Sequence, residues 1–146
     1  MSDEPLRIAF GSDERTSLTD AVRDDLEARG HDVVAVGPPA GEAKEWAEVE
    51  RDVGELVASG RAETGVLFCW TGTGASIAAN KVLGVRAALC TDAATAAGAR
   101  KCNDANVLVM GLRLTAPDVA HEMLDAWFET EVDPSETKNI DRLERA

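Results

Sequence analysis

The sequence predicts an α/β protein: a three-layer αβα, Rossmann-like sandwich with a five-stranded parallel sheet and a C-terminal helix. Two observations carry the prediction. Five short apolar runs alternate with stretches of helical periodicity along the chain. The connections between them are short and marked by glycine, the pattern of a parallel sheet covered on both faces.

Leu6 to Phe10 is the first apolar run, ended by Gly11, with Ser12 and Asp13 behind it as natural cap residues. From Leu18 to Arg29, Leu18, Ala21, Val22 and Leu26 fall on one helical face, and Gly30 is the stop signal. His31 opens the second strand, HDVVAV, and Gly37 to Gly41 reads as a plain loop. The second helix is predicted over Glu42 to Ser59, apolar at Trp46, Val49, Val53, Leu56 and Val57 and closed by Gly60. Strand three covers Gly65 to Cys69, and its helix runs from Ala75 to Lys81. Val85 to Cys90, Ala93 to Lys101 and Ala105 to Met110 supply the fourth strand, fourth helix and fifth strand. Pro117 to Glu129 is the last long helix, with Val119, Met123, Leu124 and Trp127 along one side, a stripe that hints at dimerisation. The acidic tail from Thr130 is read with a further short helix from about Ser135. In such folds ligands bind beyond the carboxyl ends of the strands, so the loops carrying Ser12 and Asp13, Cys69 to Gly74, Thr91 and Asp92, and Gly111 to Arg113 are expected to converge.

A chain of 146 residues, 45% of them hydrophobic, has the size of one domain with a sizeable core. Its net charge of −12 argues against nucleic acid as a partner, because binding a polyanion needs a basic face that releases counterions. No apolar run reaches the roughly 18 residues of a membrane span, and the start, MSDEPLR, is acidic and polar, so no membrane contact is read and a cytoplasmic protein is expected. Cys69, Cys90 and Cys102 form no C-x-x-C pair and read as reduced thiols. His31 and His121 make no metal spacing with a cysteine, so no metal is expected.

Chemistry is expected in the stretch Val66 to Val82, VLFCWTGTGASIAANKV, which reads as a strand, a glycine turn and a helix start. Gly72 and Gly74 let the backbone approach a ligand closely, and successive amides at a helix N-terminus suit a negative charge or a developing oxyanion. Cys69 sits where the strand gives way to this loop. By residue type it is either a thiol whose pKa those amides depress or one more small buried hydrophobe. The loop matches neither phosphate-loop nor dinucleotide fingerprints.

These residues resemble the type B ribose-5-phosphate isomerases and the related galactose-6-phosphate isomerase subunits. The matching pieces are IAFGSD near the start, VASGRAETGVLFC, TGTGASIAANKVLGVRAALCTD and NDANVLVMGLRL, covering Arg7 to about Thr130. The resemblance implies a single isomerase domain over 1–146, with 1–6 and 131–146 as terminal extensions, working without cofactor through an enediolate. It implies that Cys69 moves a proton between C1 and C2 while the Gly72 and Gly74 amides, with Thr73 between them, hold the oxyanion. Thr71 then bonds a substrate oxygen or the thiol; by type alone it is a helix-cap hydroxyl. Asn103 matches an asparagine that holds sugar hydroxyls, Asp13 the aspartate of the first loop beside Ser12, and Arg113 an arginine used on the phosphate, often from the neighbouring subunit. Trp46 falls where the family has a substrate-facing tyrosine, although its own pattern also fits a buried anchor of the second helix. A homodimer or homotetramer with sites shared between chains is implied.

The chain departs from the family where substrate identity is set. Asp13-Glu14 stands for the usual Asp-His, and Cys102 replaces the histidine that opens the sugar ring. His31 and His121 lie at a strand start and in the final helix, where neither can substitute. The tail reads DPSETKNIDRLERA, with Lys138 and Arg142 replacing part of a phosphate cluster. Trp70 stands for a glycine and either narrows the site or packs at a subunit boundary. The expected function is an aldose–ketose isomerase on a pentose phosphate or on a shorter tetrose or tetrulose phosphate that cannot close a ring. A substrate with a carboxylate or no anion, a noncatalytic sugar-binding subunit, and a redox role for Cys69 are the competing readings.

Overall fold

The structure, a computed structural model, describes residues 4–144; the outermost residues of both expected terminal extensions lie outside it. In chain order it contains β1 (Arg7–Ser12), α1 (Ser17–Ala28), β2 (Asp32–Val36), α2 (Trp46–Ala58), β3 (Thr64–Cys69), α3 (Thr73–Asn80), β4 (Ala87–Leu89), α4 (Ala93–Asn103), β5 (Val107–Gly111), α5 (Pro117–Glu129) and α6 (Thr137–Glu144). Single 3-10 turns stand at Pro38–Ala40 and Pro134–Glu136. The five strands pair in parallel in the order β2-β1-β3-β5-β4. From β1 the chain moves to one edge with β2, crosses back to β3 on the other side of β1, reaches the far edge with β4 and returns to insert β5 between β3 and β4, which puts the switch point between β1 and β3.

Strand periodicity divides the core in two. Ile8, Phe10, Val66, Phe68, Leu108 and Met110 face α1, α4 and α5, where Leu18, Val22, Leu26, Met123, Leu124 and Trp127 close over them. Ala9, Leu67, Val107 and Val109 face α2 and α3, against Val49, Val53, Val57, Ala75 and Ala79. Trp127 is fully buried, and its indole N–H donates to Thr64 Oγ1 at 3.2 Å, so the bulkiest core ring keeps its polar edge satisfied. Three layers and a five-stranded parallel sheet are thus present as predicted. The apolar side of α5 is a different matter: Met123, Leu124 and Trp127 have no exposure. That stripe covers the chain's own sheet and offers no face for a dimer.

Boundaries shift for identifiable reasons. β1 extends through Gly11 to Ser12 because Ser12 pairs in register with Phe68, and the cap of α1 is Thr16, whose hydroxyl and Thr19 bond reciprocally in a capping box. Residues 42–45 precede α2 instead of joining it. The GPPAG segment folds into a 3-10 turn, with both prolines at positions where a missing N–H costs nothing. β4 keeps only three residues, while α4 runs on through Cys102 and Asn103 to a left-handed Asp104.

Candidate active site

The register of the sheet brings Ser12, Cys69 and Gly111 to one edge: Ser12 pairs with Phe68 on β3, and Cys69 pairs with Gly111 on β5. Beyond Cys69 the chain turns through Gly72, whose φ of 81° is left-handed, into α3. That turn folds the Gly72 N–H back onto Cys69, donating to Sγ at 3.2 Å. The first helical bond is Ser76 N–H to the Gly72 carbonyl at 3.1 Å, so the amides of Thr73, Gly74 and Ala75 have no acceptor within the helix. Thiol and free amides consequently share one side of the loop.

Two segments fix this loop. The N–H groups of Leu112 and Arg113 donate to the carbonyls of Cys69 and Trp70 at 2.9 and 3.0 Å, zipping the segment after β5 to the thiol loop. The Arg113 guanidinium lies 5.4 Å from the centre of the Trp70 ring, a cation–π stack. From the other side α2 brings Trp46, whose ring would be 2.9 Å from a Cβ placed on Gly74, so glycine is required for that approach. Thr71 Oγ1 and Thr73 Oγ1 are 3.0 Å apart, and the α3 cap is Gly72 with no side-chain cap bond. The cap-hydroxyl reading of Thr71 therefore gives way to an exposed pair of loop hydroxyls.

Asp13, Trp46, Cys69, Trp70, Thr71 and Gly74 line a cavity of about 160 Å³. Trp46 is 46% exposed, which removes the reading of it as a buried anchor, and Trp70 is 60% exposed. Ser12 is fully buried beneath, where its Oγ accepts the Glu14 N–H at 3.2 Å, a local turn that orients Asp13. Burial first, and then the neighbouring Glu14 carboxylate, push the Asp13 carboxyl above its usual range. Asp92, by contrast, is occupied as the cap of α4, accepting the Thr95 N–H at 2.8 Å. A wider hollow of about 530 Å³ exists elsewhere, lined by Glu42, Lys44, Asp52 and Arg61 among others, but it holds none of the nominated groups.

The remaining nominated residues stand apart. Cys102 is exposed on the last turn of α4, and Asn103 lines a separate hollow with Arg86 and Leu143. Lys138 is exposed on α6. His31 Nδ1 accepts the Leu6 N–H at 3.1 Å at the opposite edge of the sheet, and His121 joins Asp25 at 2.7 Å. Cys90 is buried, and burial pushes its thiol up to about 11, away from the thiolate form that disulfide chemistry needs. Among the described residues no group of His, Cys, Asp or Glu is arranged to hold a metal, and no helix is long and apolar enough to cross a membrane.

The profile of the Ribose/Galactose Isomerase family matches residues 8–145. The chain belongs to this family. Within the ribose/galactose isomerases it is 37% identical to the D-erythrulose-4-phosphate isomerase of Pectobacterium atrosepticum, over 86% of this chain and 84% of that one. It is also 37% identical to ribose-5-phosphate isomerase B of Escherichia coli, over 84% and 83%. A ribose 5-phosphate isomerase of Thermotoga maritima superimposes with a TM-score of 0.90 at 32% identity, covering 98% of this chain and all of that one. The family resemblance read from the CWTGTGASIAANK stretch is thereby confirmed, and so is the Rossmann-like fold.

One residue escaped the sequence reading. Glu50 is completely buried on α2 with both carboxyl oxygens lacking a hydrogen bond. Its signal was present: it interrupts the stripe of Trp46, Val49, Val53 and Val57 at a position where helical spacing demands an apolar side chain.

Proposed function

We propose that this sugar-phosphate isomerase interconverts an aldose and a ketose phosphate without a cofactor, with Cys69 transferring the proton between C1 and C2. The observation that carries the reading is the placement of the Cys69 thiol beside the Gly72 N–H and the open amides of Thr73, Gly74 and Ala75. A base and preorganised donors within one loop are what enediolate chemistry requires: one takes the proton, the others stabilise charge as it develops on oxygen. This intact arrangement is also the reason to prefer catalysis over a binding-only subunit. Trp46 and Trp70 wall the substrate, and Arg113, held over Trp70, is placed for the phosphate.

A four-carbon ketose phosphate is the substrate we favour over a pentose phosphate. No histidine lines the Cys69 cavity to open a ring, and one of the two relatives at 37% identity is named for erythrulose 4-phosphate. Cys102, Asn103 and Lys138, which lie outside this cavity in their own chain, are assigned to the site of a second copy, making the active unit at least a homodimer. Three unpaired cysteines suit a reducing, cytoplasmic compartment.

The test is exchange of the C1 or C2 proton with deuterated water, followed by NMR across four-, five- and six-carbon aldose and ketose phosphates. Exchange is expected to be fastest with the four-carbon pair and to fall by at least about a hundredfold in Cys69→Ala, the usual scale for removing a general base. Full activity in Cys69→Ala would refute the assignment of the base.

A further inference from the structure

Four buried polar side-chain atoms among the described residues lack any hydrogen-bond partner, and three of them are carboxyl oxygens: Asp13 Oδ1, Glu50 Oε1 and Glu50 Oε2. Asp13 lines the Cys69 cavity. Glu50 lies one helical turn beyond Trp46, which lines the same cavity, and has no exposure at all. The two carboxyls are close enough for the charge of Asp13 to act on Glu50. An ionised carboxylate cannot be kept in such a place without a partner, whereas a protonated one can, and it then owns an O–H that must be donated somewhere.

Among the ionisable groups on the elements packed on α2, Asp13 is the one that is itself left with a buried, unpartnered oxygen. β1 leads to Asp13 and, past it, Glu14; β3 ends at Cys69; α3, TGASIAAN, carries no ionisable side chain. The charged ends of the neighbouring strands, Arg7 and Asp32, are at the opposite edge of the sheet. On α2 itself and just before it, Arg51 and Lys44 are engaged with Glu55 and Asp52 at 3.1 and 2.9 Å, and Glu48 is exposed. Among the described residues no cation acts on Glu50.

We propose that Glu50 is a positioning residue for Asp13: a buried carboxylic acid whose proton, relayed across one bridging water, supplies the hydrogen that Asp13 Oδ1 lacks. Asp13 then stays ionised with one oxygen anchored, and the other is presented to the substrate hydroxyls at the Cys69 cavity. What the anchored Asp13 does for the substrate rests on the isomerase reading; the link between the two carboxyls does not. Burial, and then the Asp13 charge, push Glu50 up to about 8. Above that pH Glu50 ionises, Asp13 loses its donor and faces a like charge, and the site is disabled.

Carboxyl ¹³C NMR titration of the free enzyme tests the link without substrate, using Asp13→Asn and Glu50→Gln to assign the two signals. The Asp13 signal of the wild type is expected to step as Glu50 titrates near pH 8, and that step is expected to vanish in Glu50→Gln. An Asp13 signal indifferent to Glu50 overturns the proposal. In turnover, wild-type kcat/KM is expected to fall about tenfold per pH unit above this value, and Glu50→Gln, which keeps an N–H donor but cannot ionise, is expected to lose that fall. Glu50→Leu is expected to lose at least about tenfold in kcat at pH values well below 8, where wild-type Glu50 is protonated, most of it regained by the glutamine variant. The same alkaline fall in Glu50→Gln overturns the proposal, since a merely structural glutamate would leave the profile unmoved. If Glu50→Leu does not fold, the comparison of glutamate with glutamine decides alone. If the wild type exchanges no proton with any sugar phosphate, the isomerase reading fails, while the titration step still decides whether Glu50 anchors Asp13.

Discussion

At the scale of single residues, the site depends on backbone geometry as much as on side-chain chemistry. Gly72 has a φ of 81°, and a Cβ there would fall 2.4 Å from Leu89 Cδ1, inside any real contact distance. Gly72→Ala therefore meets one firm obstacle, the left-handed backbone, and displaces the tip of the Leu89 side chain as well. It is expected to destabilise the protein by about 1–3 kcal/mol and, because the same residue holds its N–H on Cys69 Sγ, to lower kcat well beyond that of a stability-matched control such as Thr16→Ala. Thermal melts and proton exchange measured on both variants check the pair. Cys69 and its glycines were legible in the sequence because strand, turn and helix are contiguous there. Trp46, Trp70 and Arg113 were named as site residues, but their arrangement was not legible. Ring exposure, the approach of Trp46 to Gly74 and the stack of Arg113 on Trp70 depend on segments far apart in the chain.

At the scale of elements, α1 and α5 are tied by a polar cluster on the sheet face away from α2. Arg29 bonds Asp25 at 2.9 Å and Asp125 at 2.8 Å, and His121 bonds Asp25 at 2.7 Å. The hydrogen bond to Asp25, followed by the charges of Asp25 and Asp125, raises the His121 pKa above 6.5. A raised folded value means that the folded state binds the proton more tightly. Its contribution is complete below pH 6.5 and disappears as pH rises through the folded value. His31 acts in the opposite sense. Burial first, and then Arg29, lower its pKa, and its Nδ1 must stay unprotonated to accept the Leu6 N–H, so that contribution is lost as pH falls. Comparing wild type with His121→Gln isolates the first effect. The wild type is expected to melt higher at about pH 6 and to approach the variant at about pH 9, a difference read directly from thermal melts. A gap that widened with rising pH would contradict the assigned pairing.

At the scale of the whole molecule, one chain does not bring all nominated residues together. Cys69 and Asp13 line one cavity, whereas Asn103 lines another. If Asn103 serves the site of a second copy, two individually impaired variants must repair each other when mixed. Cys69→Ala and Asn103→Ala, unfolded together and refolded, form hybrid dimers in which one of the two sites is complete. Since half of randomly assorted symmetric dimers are hybrids, about a quarter of wild-type activity is expected. Recovery of none would place both residues in the site of a single chain. Exposed Ile77, Leu83 and Leu114 on and beside α3 and after β5 are where such a contact can form, since the stripe on α5 is spent on the core.

The sequence alone determined the alternation of strands and helices, the parallel sheet, the family and the thiol loop, because each is written in local patterning or in one continuous motif. Only the tertiary structure decided which apolar stripes are core, how the aromatic walls stand around Cys69, and that Glu50 is sealed beside Asp13. Burial depends on what a folded chain brings from elsewhere. The spacing of Glu50 places it on the apolar stripe of α2, but only the packing of β1, β3 and α3 on that helix shows it fully buried, where its proton has chemical consequences.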